Sequence, residues 1–308
     1  MSEHVPVLLK EVIEGLNIRK DGIYLDCTLG RAGHSQEILK RLDKGLLIGL
    51  DQDKEAIAKS DEILKNVGHN YRLIKTNFVN LTQVLEDSNI PGVDGILMDL
   101  GVSSPQFDEK DRGFSYREDA RLDMRMDQEQ SLSAYEVVNT YSLEDLTKIF
   151  KEYGEERFSY PIAKNIVKRR SEKPIETTFE LVDIIKRSKP AKELNKIGHP
   201  AKQIFQAIRI EVNDELNILK KAVTDALKVL KPHGGRLAII TFHSGEDKIV
   251  KTIFKDAAVS EGNRNDLPLQ NEEKEYRLIT HRPIVASEEE LEKNHRSVSA
   301  KLRIIERK

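Results

Sequence analysis

The chain has 308 residues, 38% of them hydrophobic, enough to bury a sizeable core in one large domain or in a domain carrying an insertion. Its 50 basic residues nearly cancel its 52 acidic ones, so global charge argues neither for nor against a nucleic-acid partner and local distribution must decide. The single cysteine, Cys27, excludes an internal disulfide framework and a cysteine metal cluster, and the histidines form no pair at helical metal-ligand spacing, so no metal is expected.

The amino-terminal stretch MSEHVPVLLKEVIEGL alternates charged and apolar residues without a continuous apolar core. That pattern reads as neither signal peptide nor membrane span and points to a cytoplasmic protein. Next, GIYLDCTL at 22–29 reads as a strand running into Gly30 and Gly33 and then into a helix, HSQEILKRL. A strand, tight turn and helix start point backbone N–H groups and a positive dipole end at an anionic or strongly polar ligand. The turn lacks a Gly-Lys-Ser/Thr ending, which excludes a P-loop, and Gly30-x-x-Gly33 lacks the full dinucleotide spacing.

Further strands are read at GLLIGLD (45–51), YRLIKTNF (71–78) and VDGILMDLG (93–101), with amphipathic stretches such as DKEAIAKSDEILKNV between them. This alternation predicts an α/β, Rossmann-like parallel sheet with helices on both faces and its ligand beyond the carboxyl ends of the strands. About a hundred mostly helical residues separate Gly101 from Pro200, too many for one connection, which predicts an inserted helical domain. The expected division is 1–103 with 200–308 for the sheet domain and 104–199 for the insertion. One long helix is read from about Pro200 to Leu230, with Ile204, Ile208, Val212, Leu216 and Leu219 as its core stripe. The turn KPHGG, the strand RLAIITFHS, the helix GEDKIVKTIFKDAAV and a polar loop follow. Finally, YRLITHRPI and SAKLRIIER are expected to close the sheet as a hairpin-like pair.

At the strand tips, Asp51 either accepts both hydroxyls of a ribose or caps the helix starting near Lys54. Phe78 either stacks on an adenine or belongs to the core. Asp99 opens DLGVSSPQF, a run of acceptors and donors. Between a nicotinamide dinucleotide and S-adenosyl-L-methionine, the short first loop and the late KPHGGRLAII run favour the second. His34 and His243 also stand near strand tips and read more readily as hydrogen-bonded structural residues than as participants in chemistry.

The ordered blocks DCTLGRAGHS, GLDQD, DLGVSSPQFD with RGFSY, LDMRMD, HPAKQIFQAIRIEVNDEL, ITFHSGED and NHRSVSAKLR closely resemble the bacterial ribosomal RNA small-subunit cytosine-N4 methyltransferases, the MraW-like family. The resemblance covers nearly the whole chain. It implies a class I S-adenosyl-L-methionine-dependent methyltransferase sheet with a helical insertion, acting on N4 of a cytidine in the decoding region of the small subunit. By position it implies cofactor contacts at Ala32, Gly33, His34, Asp51, Phe78, Asp99 and Gln106. The implied partner is small-subunit ribosomal RNA or the 30S subunit, with no membrane; a homodimer is left open. Three positions depart from the common pattern. Ala32 stands where glycine is frequent, a mild change if its φ stays negative. Gly245 replaces leucine, and Val298 stands where arginine is usual, removing a positive charge from a candidate RNA-contact stretch and with it one expected phosphate contact.

The exocyclic amine of cytosine is a poor nucleophile because its lone pair is delocalised, so an acceptor aimed at its N–H assists. Asp99, Ser103 and Ser104 are the candidates, although Ser103-Ser104-Pro105 reads equally well as a turn with a helix cap. From Lys164 to Arg209 there are twelve Lys/Arg against five Asp/Glu, Lys168, Arg169 and Arg170 among them. The surplus suits phosphate contacts or is a solvated helical face. Arg112, Phe114 and Tyr116 either stack on a flipped-out base or anchor the insertion on the sheet.

Overall fold

Strands β1 (Ile23–Asp26), β2 (Leu46–Asp51), β3 (Tyr71–Lys75), β4 (Gly95–Asp99), β5 (Gly235–Thr241), β6 (Tyr276–Leu278) and β7 (Lys301–Arg307) form one sheet in the order β3-β2-β1-β4-β5-β7-β6. They are seen in a computed structural model that describes residues 6–101, 110–259 and 274–308. The first five strands run parallel, whereas β7 inserts antiparallel between β5 and β6. Strand alternation sends neighbouring residues to opposite faces, which explains why these runs are apolar throughout rather than half polar. Leu25, Ile48, Ile96, Met98, Leu237 and Ile239 pack under Leu81–Asp87, Glu215–Val229 and Ser244–Ala258. Tyr24, Leu47, Leu97, Ala238 and Ile240 pack against Leu9–Leu16 and Gly33–Leu39 on the other face.

The chain divides into two compact units, Met1–Gly101 with Leu216–Lys308, and Val102–Glu215. The second boundary therefore falls later than the expected 199/200. The reason is a break in what reads as one long helix: it is two, Lys202–Val212 and Glu215–Val229, separated by Asn213 and by Asp214 in the left-handed region at φ 49°. Asn213 Oδ1 accepts from the Met126 N–H at 2.8 Å, and its amide donates to the carbonyls of Met124 at 2.9 Å and Arg209 at 2.8 Å. A side chain that bonds local backbone this way competes with helix continuation, and Asp tolerates the left-handed turn that follows. The apparent stripe is thus split: Ile204, Ile208 and Val212 join the core of the Val102–Glu215 unit, while Leu219 packs under the sheet.

The Val102–Glu215 unit is helical around its own core of Phe114, Val137, Phe150, Ile166, Ile185 and Phe205. Its helix starts are written in the sequence as capping boxes, Ser133 with Glu136 and Thr177 with Glu180. Among the described residues no helix is long and apolar enough to cross a membrane. Asn213→Ala removes the partners of the Met126 N–H and the Met124 carbonyl, each worth about 1–3 kcal/mol when left unsatisfied, while the Arg209 carbonyl keeps the backbone N–H of residue 213. The variant is expected to lower stability by more than about 2 kcal/mol, read as an earlier urea midpoint; an unchanged midpoint contradicts this account of the break.

Candidate active site

The turn after β1 is built by Asp26, which ends the strand and is 2% exposed. One carboxylate oxygen accepts the Thr28 N–H at 3.0 Å and the other accepts from Ser35 Oγ at 2.7 Å. Thr28 Oγ1 in turn accepts the Asp99 N–H at 2.6 Å, so the tips of β1 and β4 are joined through one hydroxyl. Burial raises the pKa of Asp26 above the usual carboxylate range, its hydrogen bonds opposing the shift. Neither Asp26, Thr28 nor Ser35 stands out in the sequence reading. The available signal is a lone acidic residue ending an apolar run, with Thr two residues later to close an Asx-type turn.

Gly30 has φ 51° and Ala32 has φ 57°. The condition attached to Ala32, a negative φ, is therefore not met. A left-handed alanine costs about 1–2 kcal/mol, and burial of its methyl, worth roughly 0.8 kcal/mol, offsets part of that; Ala32 is fully buried. At Gly33, a Cβ would lie 2.6 Å from Pro6 Cγ, so the close passage of the amino-terminal segment requires glycine. His34, on the first turn of Gly33–Leu39, is 5% exposed, and its Nε2 lies 2.9 Å from the Val7 carbonyl. A carbonyl only accepts, so Nε2 carries the proton and Nδ1 faces Asp99 Oδ2 at 3.7 Å.

Asp51 is not the helix cap. Asp53 fills that role, accepting from the Glu55 N–H at 2.9 Å. Instead Asp51 Oδ2 accepts the Gly30 N–H at 2.9 Å and Oδ1 accepts the Asp53 N–H at 2.9 Å, which ties the tips of β1 and β2 together. Each oxygen keeps lone-pair capacity for a hydroxyl donor. Burial pushes its pKa up to about 6, with the Asp53 and Asp26 charges adding to the shift. Phe78 begins a short 3-10 turn and packs half-buried against the core under the sheet, and Asn77 ahead of it donates to Gln52 at 3.0 Å.

Asp99 closes the set. Its Oδ1 is buried and has no hydrogen-bond partner among the described residues. Burial, and then the charges of Asp26 and Glu246, push its pKa up to about 8. Three carboxylates around one turn, one of them with an unmet acceptor, suit a cationic ligand rich in hydroxyl and N–H donors. Ser103, Ser104 and Gln106 lie outside the described residues. His243 caps Ser244–Ala258 and stands 3.2 Å from Glu246 Oε1, while Glu246 Oε2 accepts the Phe242 N–H at 2.7 Å.

The helical unit revises several candidates. Arg112 is 7% exposed and donates to the carbonyls of Arg125 at 2.9 Å and Met126 at 3.2 Å, and Phe114 is 4% exposed in the unit's own core. Both are internal supports of that unit and are out of reach of a base. Arg170 donates to the Val138 carbonyl at 2.7 Å and to the Tyr141 carbonyl, so its guanidinium is likewise engaged by backbone. Arg169 bonds the Lys173 carbonyl at 3.2 Å, whereas Lys168 is exposed. Lys189 is paired with Glu156 and Arg209 with Glu215, acids outside the stretch that offset two of its surplus charges, while Arg187 and Lys196 pair with Asp183 and Glu193 within it. Tyr116 stays half-buried, stacked on His199. In the other unit, Val298 presents an exposed apolar side chain.

The strand order β3-β2-β1-β4-β5-β7-β6, with its antiparallel insertion of β7 and an acidic turn at the carboxyl edge, is that of a class I S-adenosyl-L-methionine-dependent methyltransferase. The model of the MraW methylase family matches residues 1–308, and the chain belongs to that family. It is 53% identical over 307 residues to the Ribosomal RNA small subunit methyltransferase H of Clostridioides difficile (strain 630), covering 99% of this chain and 98% of that protein. The protein of the same name from Exiguobacterium sibiricum is 55% identical over 309 residues, covering 100% of this chain and 99% of the relative. The one from Spiroplasma kunkelii is 54% identical, covering 99% and 98% respectively.

The raised pKa of Asp99 has a stability consequence. An acid held at about 8 in the folded state against 3.8 ordinarily contributes fully below the lower value, and that contribution is lost as pH rises through the higher one. Asp99→Asn is therefore expected to be more stable than the parent, by a margin that widens from about pH 4 to about pH 8 and is level beyond. Urea midpoints across that range measure it; a margin independent of pH contradicts the buried, uncompensated carboxyl.

Proposed function

We propose that the protein transfers the methyl group of S-adenosyl-L-methionine to the exocyclic N4 of a cytidine in the decoding region of small-subunit ribosomal RNA, acting in the cytoplasm on the RNA or on the 30S subunit. The observation that carries this reading is the buried, unpartnered Asp99 Oδ1 at the tip of β4, beside Asp26 and Asp51. The near-complete overlap with relatives named as small-subunit ribosomal RNA methyltransferases supports the substrate.

The donor set fits the cofactor. Asp51 is suited to the ribose hydroxyls, the Ala32-Gly33-His34 backbone to the amino-acid end, and Phe78 to the adenine, with Gln106 as a further proposed contact. When bound, S-adenosyl-L-methionine supplies a methyl group already activated as a sulfonium, for in-line displacement. What the chain must add is position, worth roughly 7–11 kcal/mol when reacting atoms are held in line, and a sink for the amine proton. The second task is assigned to Asp99 in this reading. One oxygen faces His34 and the other is uncommitted; a bound cation favours the ionised form of this carboxyl, and only that form accepts the amine proton. Ser103 and Ser104 remain proposed assistants on the segment that follows.

Labelled methyl transfer from the cofactor to small subunits and to naked small-subunit RNA, with nucleoside analysis, tests the reading. Label is expected in N4-methylcytidine; label in another nucleoside, or none on either RNA while cofactor binding persists, overturns the substrate assignment. Asp51→Ala should raise the cofactor Kd by about 10–150-fold, the range for one hydrogen bond to a charged group. Asp99→Ala should lower kcat by about 10²–10⁴-fold while the RNA KM changes little.

A further inference from the structure

In the helical unit the Tyr116 ring lies parallel to the His199 imidazole, with centroids 4.3 Å apart and an interplanar angle of 11°. Phe205, 3% exposed in the unit's core, backs Tyr116 edge-on at 5.7 Å and 89°. His199 is held as well: its Nδ1 accepts the Ala201 N–H at 3.3 Å, which leaves the proton on Nε2. Two half-buried rings are thus fixed in a stack by core and backbone before any ligand arrives, and little freedom remains to be lost on binding.

The electrostatic surroundings are uncompensated. Burial lowers the pKa of His199, and the nearby cations Lys186, Arg117 and Lys189 lower it further. Lys189 is neutralised by Glu156 at 2.6 Å. Arg117 and Lys186 are exposed, and neither side chain has a partner among the described residues. They come from separate parts of the unit, Arg117 from the loop after Tyr116 and Lys186 from the last turn of Thr178–Arg187. A stack that served packing alone gains nothing from two unneutralised cations at its side. An anion that also carries a flat ring accounts for both features.

We propose that the Tyr116–His199 stack, flanked by Arg117 and Lys186, is a platform on which an unpaired base of single-stranded RNA stacks while the two cations hold its phosphates. The proposal rests on the reading of the protein as an RNA methyltransferase and adds a binding site in which His199, Arg117 and Lys186 have assigned roles.

The chain contains no tryptophan, so Tyr116→Trp places a single reporter in the stack. Its fluorescence is expected to be quenched by a single-stranded oligonucleotide of the decoding-region sequence and to be unaffected by the same sequence in a duplex. Tyr116→Leu should weaken single-strand binding by about tenfold, and Tyr116→Phe should retain it. Arg117→Gln and Lys186→Gln should each flatten the slope of log K against log salt by about 0.7. Thermal melts confirm that each variant is folded. A tryptophan unquenched at saturating RNA overturns the platform, as does quenching that is equal with duplex. If the parent methylates RNA normally while the reporter stays silent, the platform alone is wrong; if the parent neither binds nor methylates RNA, both readings fall.

Discussion

Asp26 is the constraint on which the rest of the site depends. It is a buried carboxylate whose two oxygens hold the turn that follows, one through Thr28 and one through Ser35. Through Thr28 Oγ1 the same turn holds the Asp99 backbone, and through the Gly30 N–H it holds Asp51. Three strand tips are thereby set relative to one another by a handful of hydrogen bonds in a place where the backbone is already strained at Ala32, a non-glycine residue at positive φ. Strain of this kind persists only where the surroundings over-determine it. The contrast with the opposite edge of the sheet is instructive. There Asp94, also buried, has its charge met by Arg19 and by Lys231 at 2.7 Å, and it caps the Ile23 N–H at 2.8 Å. One edge neutralises its acid; the other accumulates acid and leaves an oxygen unmet.

That asymmetry gives the ligand its sign. Burial raises the pKa of both Asp51 and Asp99, and the charge of Asp26 adds to both shifts, so it makes ionisation of its two neighbours harder. A positively charged ligand reverses the balance: it favours the ionised forms and removes the repulsion that the folded chain otherwise carries. Binding and proton release are then linked, and affinity for a cationic ligand is greater where Asp99 is ionised than where it is protonated. A carboxylate cluster tuned this way also distinguishes this sheet from one built for a pyrophosphate, which would be repelled by it.

The sheet was legible in the sequence because its strands are short apolar runs separated by amphipathic helices, a signal that tertiary context rarely overrides. The tips were legible in part. Asp51 and Asp99 end their strands conspicuously, but whether Asp51 or Asp53 caps the next helix turns on side-chain direction, which periodicity does not carry. Asp26 was hidden for the same reason, since its importance lies in Thr28 and Ser35 and not in its own position. The helix break at Asn213 was missed because the apolar spacing from Ile204 to Leu219 continues across it, even though the two halves serve different cores. Spacing reports which face is apolar, not what that face packs against.

The basic stretch shows the same limit from the other side. A count of charges treats every lysine and arginine as available, yet Arg170, Lys189 and Arg209 are engaged by carbonyls and carboxylates within the unit. Buried or bidentate pairs of this type are internal structure, because removing one partner leaves a charge without compensation. The same geometry withdraws Arg112 and Phe114 from any surface role while leaving Tyr116 with one ring face packed on His199. In a helical unit assembled this way, the cations that matter for an external phosphate are those that internal structure has not claimed. Arg117 and Lys186 meet that test beside an aromatic stack, which turns a diffuse compositional surplus into a local arrangement with a definite chemical preference.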